Sequence, residues 1–234
     1  GICLGLLTYK PQFGLLFPIA LIAERRWRVM LSAAITALVL ALLSWLVFGA
    51  GAWIAFLHGL GQTGDAILVQ GLAEFARLQS VFGFVRVHGG SETLAWMLQA
   101  AATLGSAALI WRLWRSRAAF ELKAAALSCG ALLATPYLYM YDLVALAIPV
   151  AFLLRLVLKD DFRSSEIFGL AAVVVLILLF PLLKTHVGLA AVLVVAALIA
   201  LRWLRPETGK MKKPVGVGGV PADIALQQKA RHTA

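Results

Sequence analysis

Three short polar clusters interrupt an otherwise apolar chain, and their residue types suit the binding of phosphate and of sugar hydroxyls. The first is Lys10-Pro11-Gln12. A lysine before proline is biased away from helix, while Pro11 suits the first helical position. A helix running on from Pro11 would turn unsatisfied amide N–H groups and its positive dipole end toward the Lys10 ammonium, with Gln12 beside them. That combination can hold a phosphate; the same residues also read as a lysine snorkelling to a membrane surface. The second cluster is Gln79-Ser80-Val81-Phe82-Gly83 with Arg86. Gln79 and Ser80 can meet sugar hydroxyls, and the planar fork of Arg86 can grip a phosphate. The third is Thr135-Pro136 followed by Tyr137-Leu138-Tyr139-Met140-Tyr141-Asp142. Pro136 should break a helix and free backbone groups. The tyrosines, Tyr139 above all, suit an aromatic belt. Asp142 either caps the apolar run behind it or binds hydroxyls.

Other chemistry is poorly supplied. His58, His88 and His186 lack zinc-ligand spacing, and no metal site is expected. Cys3 and Cys129 lie in separate apolar stretches and read as two buried thiols. No Gly-rich nucleotide loop is present.

The elements that must position these clusters are membrane helices. Of 234 residues, 62% are hydrophobic and 14% charged, against roughly 25% charged in a soluble domain. The mean hydropathy is +0.91. The net charge of +10 is dispersed in small groups between apolar runs, which encodes topology rather than nucleic-acid binding. Spans need about 20 apolar residues, and that ruler predicts six: 29–48, 93–111, 118–137, 143–158, 167–183 and 187–204. Two partial spans, 2–8 and 13–23, precede them. The fold class is therefore an all-α polytopic transmembrane bundle occupying residues 1–205, followed by a flexible basic tail at 206–234.

Placing Arg25, Arg26 and Arg28 inside puts all but Lys10, Arg77, Arg86 and Lys184 of the 21 Lys and Arg inside as well. That bias survives removal of the tail, and it sets all three polar clusters on the outer face. The long outer loop, 49–92, carries helical apolar spacing at 66–77 and an apolar aromatic stretch at 53–60, which predict helices lying in the interface. The opening at Gly1, mid-span and without methionine, reads as the C-terminal part of a longer protein.

Taken together these stretches resemble glycosyltransferase family 87, whose members include GT-C-fold mannosyltransferases that use polyprenyl-phosphate mannose. The segment from Gly5 through Lys10-Pro11-Gln12 to Leu16 is similar to that family's Lys-Pro-Gln segment. Gln79 to Arg86 is similar to its Asn-Gln-Ser segment, with Leu78 where asparagine is usual. Thr135-Pro136-Tyr137 to Asp142-Leu143 looks like a late outer-loop motif; some members carry a histidine there, and this chain does not. The resemblance implies a GT-C-like hexosyltransferase of a bacterial cytoplasmic membrane, acting on the outer face with its C-terminus inside. It would move a hexose, mannose on the resemblance, from a polyprenyl-phosphate donor to a lipid or glycan acceptor, without a further cofactor. Lys10, Gln12 and Arg86 would bind the donor phosphate. Gln79, Ser80, Tyr137, Tyr141 and Asp142 would bind sugar or acceptor. The catalytic carboxylate is expected in an N-terminal part that this chain lacks, leaving it inactive alone. The alternatives are a transporter or flippase-like subunit, or another polyprenyl-phosphate enzyme such as a glycan polymerase or ligase. A transporter would place polar residues deep in several spans, and 29–46 and 167–183 carry almost none.

Overall fold

Proline and glycine decide where the apolar runs bend. The computed structural model describes residues 1–71, 74–160, 164–183 and 185–204. The tail at 206–234 and Lys184 lie outside them. Among the described residues the chain is helical, with α1 at Ile2–Gly5, α2 at Pro11–Gly14, α3 at Phe17–Ala23 and α4 at Trp27–Gly64. The remaining helices are α5 at Val81–Val87, α6 at Glu92–Arg115, α7 at Phe120–Ala134, α8 at Ala147–Asp160, α9 at Ser164–Leu183 and α10 at Val187–Leu204. A single isolated antiparallel bridge, Leu78 to Tyr139, is the only sheet-like pairing among them.

Four helical stretches are long and apolar enough to cross a membrane: Trp27–Val69, Glu92–Arg115, Met140–Lys159 and Val187–Leu204. Four of the six expected spans fall within them. The expected span at 167–183 lies in α9. The one at 118–137 shrinks to the 15 residues of α7, below the ~20 of a full crossing. Its end follows from Pro136, which drives Thr135 to extended backbone at φ −94° and ψ 132°.

Two expectations are corrected. The helix anticipated from Pro11 inward is two short pieces, α2 and α3. Pro18 has no N–H, and its ring would meet the carbonyl of Gly14. The amphipathic helix anticipated at 66–77 does not form as one helix. A π-helical turn at Asp65–Val69 continues α4, and a 3-10 turn at Phe75–Arg77 follows. Between them Gly71 and Glu74 hold positive φ, 68° and 51°, which no continuous helix tolerates. The helix expected at 53–60 is present within α4, behind a break at Gly49 with φ 77° and ψ 170°.

Packing is layered around α7. Ten of its residues are buried, mostly Ala, Gly, Cys and Leu, and small side chains let neighbouring backbones approach closely in lipid. It packs against α6, α8 and α10, while α9 pairs with α10. Leu113, Leu122, Leu132, Leu143, Leu153 and Val195 share this core. By contrast α4 exposes its apolar surface all round, as a lipid-facing helix does. The helices α1 and α3 and the 3-10 turn at Leu6–Tyr9 pack against it. A Cβ on Gly5 would lie 2.5 Å from Thr36 Cβ, so glycine is what permits that contact. Cys129 is buried as expected, but Cys3, on α1, is exposed.

Candidate functional site

The third polar cluster is the hub that gathers the other two. Tyr139 begins a 3-10 turn, Met140–Leu146, and the Asp142 carboxylate accepts the Tyr139 N–H at 3.2 Å. Asp142 is thus the third residue of a capping box whose N-cap is Tyr139, rather than the N-cap weighed for it, and it has a second role. Its other carboxylate oxygen accepts Lys10 Nζ at 2.5 Å. The pair joins positions far apart in the chain and sits mostly out of solvent, with side-chain exposures of 25% for Lys10 and 2% for Asp142. The hydrogen bond from Lys10 to Asp142 raises the lysine pKa above its usual 10.5 against the opposing effect of burial.

Aromatic rings surround the ammonium. Nζ lies 4.7 Å from the Tyr141 ring centroid, 5.7 Å from Phe13 and 5.8 Å from Tyr9. These are cation–π distances. Tyr139 and Tyr141 stack with centroids 5.6 Å apart and planes 5° from parallel. Tyr141 is 65% exposed, so this ring forms the open wall of the cluster. Gln12 follows in the first turn of α2, half-buried.

The second cluster docks on the same hub through its backbone. Gln79 N–H donates to Leu138 O at 2.6 Å, and Ser80 Oγ donates to Pro136 O at 2.7 Å. Ser80 Oγ also accepts from Gly83 N, capping α5. Gln79 is fully buried. Its Oε1 accepts the Gly188 N–H at the start of α10 at 3.0 Å, and its Nε2 donates to Ala76 O at 3.2 Å. A Cβ on Gly188 would come within 2.8 Å of that oxygen and 2.3 Å of Leu143 Cδ1. Both side chains are thus engaged with backbone groups, holding 137–142 against α10 and α5. Tyr137 N–H donates to Thr135 Oγ1 at 3.1 Å, and the ring packs with Leu78, Phe82 and Val85.

Arg86 stands apart from the lysine. Its guanidinium lies over Phe75, 4.8 Å from the ring centroid, and donates to Gly90 O at 3.1 Å. Its Nε is buried and, among the described residues, has no hydrogen-bond partner. Of the histidines, His88 and His186 come together, with centroids 6.3 Å apart and Phe84 between and beside them. Burial keeps the His186 imidazole below its usual pKa of 6.5. Among the described residues no three His, Cys, Asp or Glu side chains are placed to share a metal ion.

Two polar residues within α6 escaped the motif reading. Gln99 donates to Leu133 O at 2.8 Å and accepts Phe82 N–H at 3.1 Å. Thr103 Oγ1 donates to Ala134 O at 3.1 Å. They satisfy carbonyls at the C-terminal end of α7, where the break before Pro136 removes helical donors. Two polar residues one turn apart in an apolar helix were the legible signal.

An all-α chain with several apolar helices of spanning length is a multi-pass membrane protein. Residues 1–136 match glycosyltransferase family 87, more than half the chain, and the protein belongs to that family. The match contains Lys10 and the Gln79–Arg86 stretch but stops before Asp142. No curated protein and no solved structure matches the chain.

Proposed function

We propose that this protein works in transferring a hexose from a polyprenyl-phosphate donor to an acceptor hydroxyl on the outer membrane face, with Lys10 at the donor phosphate. The observation that carries the reading is the state of the Lys10 ammonium. Among the described residues it has one hydrogen-bonded partner, Asp142, with the Tyr141, Phe13 and Tyr9 rings beside it and a quarter of its side chain left open. Asp142 holds it in place and leaves it cationic. The partial shielding these rings give strengthens its attraction for an incoming phosphate. Tyr141, the exposed ring, suits stacking against a sugar.

An apolar groove of about 890 Å³ opens beside this cluster, lined by Leu6, Tyr9, Leu38, Phe48, Trp53 and Phe56 among others. Its lining suits an isoprenoid chain whose phosphate would then reach Lys10 from Tyr9. In the reaction the acceptor oxygen bonds to the anomeric carbon as the bond from that carbon to the phosphate oxygen breaks, with inversion. The electron pair leaves on the lipid phosphate, where the Lys10 ammonium stabilises it. The acceptor proton passes to a general base. That role is not given to Asp142, whose carboxylate is committed to Lys10 and to the Tyr139 amide. Gln79 and Ser80 serve this reading as positioning residues, and Arg86 as an accessory cation for the donor.

The test is transfer of labelled hexose from a polyprenyl-phosphate donor by membranes carrying the native protein or its Lys10→Ala variant. Loss of transfer at unchanged protein level is expected. Transfer at the native rate by Lys10→Ala would remove the phosphate role.

A further inference from the structure

The opposite end of the segment that starts at Lys10 carries a second polar site of different character. There α3 ends in a full Schellman closure: Arg26 N–H donates to Leu21 O at 2.8 Å and Arg25 N–H to Ile22 O at 3.0 Å. The left-handed position of such a closure normally belongs to glycine. Here it is Arg25, at φ 56°. A non-glycine residue in that conformation is strained, and such strain gathers at functional positions.

Arg25 lines a cavity of about 220 Å³ together with Ile22, Ala23, Trp27, Trp111 and Arg115. Two guanidinium groups and two indoles therefore face one small space. Arg115 is held by Trp111, 5.5 Å from its ring centroid. Among the described residues neither Arg25 nor Arg115 pairs with a carboxylate. The adjacent acid, Glu24, is taken by Lys123 at 2.8 Å and Arg26 at 3.2 Å. The helix α4 begins at Trp27, so its unsatisfied first-turn amides add positive potential at this end.

We infer that this cavity binds the phosphate of an anionic phospholipid headgroup. Guanidinium forks match phosphate oxygens. Volume argues for a headgroup over a larger solute, since pockets for drug-sized ligands run from about 300 Å³ upward. The indoles select a lipid over free phosphate: Trp27 and Trp111 are 53% and 38% exposed, placed as rings that lie at the level of headgroups. The site is separate from Lys10 and does not depend on the transfer reaction.

Native mass spectrometry of the whole chain in detergent, titrated with phosphatidylglycerol or phosphatidylcholine, tests it. Phosphatidylglycerol should be retained in preference to phosphatidylcholine. The paired variant Arg25→Gly with Arg115→Ala should weaken phosphatidylglycerol retention roughly thirty-fold and leave phosphatidylcholine unchanged. Glycine relieves the left-handed strain at position 25, so this variant is expected to fold. Excess inorganic phosphate should displace no lipid. Undiminished retention by the variant, displacement by inorganic phosphate, or an equal loss in Arg28→Ala with Arg112→Ala, whose charges lie off the cavity, would each overturn the assignment.

Discussion

The residues from Lys10 to Glu24 are tied to the rest of the fold by an ion pair at each end, and the two pairs are finished differently. At one end Lys10 meets Asp142 at 2.5 Å and has rings around its remaining donors. At the other, Glu24 meets Lys123 at 2.8 Å. Lys123 also donates to Trp114 O at 3.2 Å, and Trp114 Nε1 returns a bond to Lys123 O at 3.2 Å. The second lysine spends its donors on the protein itself and acts as a clamp. The first keeps donors in reserve behind aromatic walls, which is how a binding group is held. The partly exposed Lys10 and the buried Lys123 thus differ in what surrounds them.

That contrast can be broken at several points. Lys10→Ala should lower sugar transfer by about 10²–10³-fold, measured per folded molecule. Adding Asp142→Asn to it removes the unpaired carboxylate and should recover stability without recovering transfer. Recovery of transfer as well would make Lys10 a clamp like Lys123. Lys123→Ala should act in reverse, costing about 3 kcal/mol of stability in denaturant unfolding while turnover per folded molecule holds. Gln79→Ala should cost about 2 kcal/mol by leaving the Gly188 N–H buried and unpaired, read in the same unfolding assay.

The pH dependence separates the ends further. Lys123 holds the Glu24 carboxyl below its usual 4.5, so that stabilisation is complete above 4.5 and drains as pH falls through the lowered value. Lys10, raised above 10.5 by Asp142, contributes fully below 10.5 and loses its contribution as pH rises through the raised value. His186, kept low by burial, weakens the fold earlier in acid: the unfolded chain takes up the proton first, from about 6.5 downward. Unfolding midpoints across acid and alkaline buffers, with Glu24→Gln and His186→Gln as controls, resolve the three. The smallest effect belongs to Arg77→Ala. Its pair with Glu74 is exposed on both sides, 69% and 70%, and its loss should change stability by less than about 0.5 kcal/mol.

Much of the architecture was readable because lipid makes a blunt demand. A chain that spans a membrane must present long apolar helices, so the stretches at 93–111 and 143–158 and α10 could be located by composition. Where a breaker lay inside an apolar run the reading failed. Pro18 divides 11–23, and Gly71 with Glu74 divides 66–77, although their hydrophobic periodicity is helical. Periodicity reports which face could be buried, and says little about whether the backbone stays continuous.

The site shows the same division. Residue types alone picked out Lys10 and Asp142 as chemically able, because charge in an apolar chain has few other uses, while Tyr141 came in through the family resemblance. Composition and hydropathy likewise established a membrane protein, and the segment around Lys10 pointed to its family. Tertiary structure decided which of those residues meet. It set Lys10 on Asp142, turned Gln79 and Ser80 to backbone groups, and left Arg86 over Phe75. Those outcomes depend on how helices distant in sequence pack and which buried polar atoms find partners first. Pairing of that kind is a property of the folded arrangement, and no local pattern of residues encodes it.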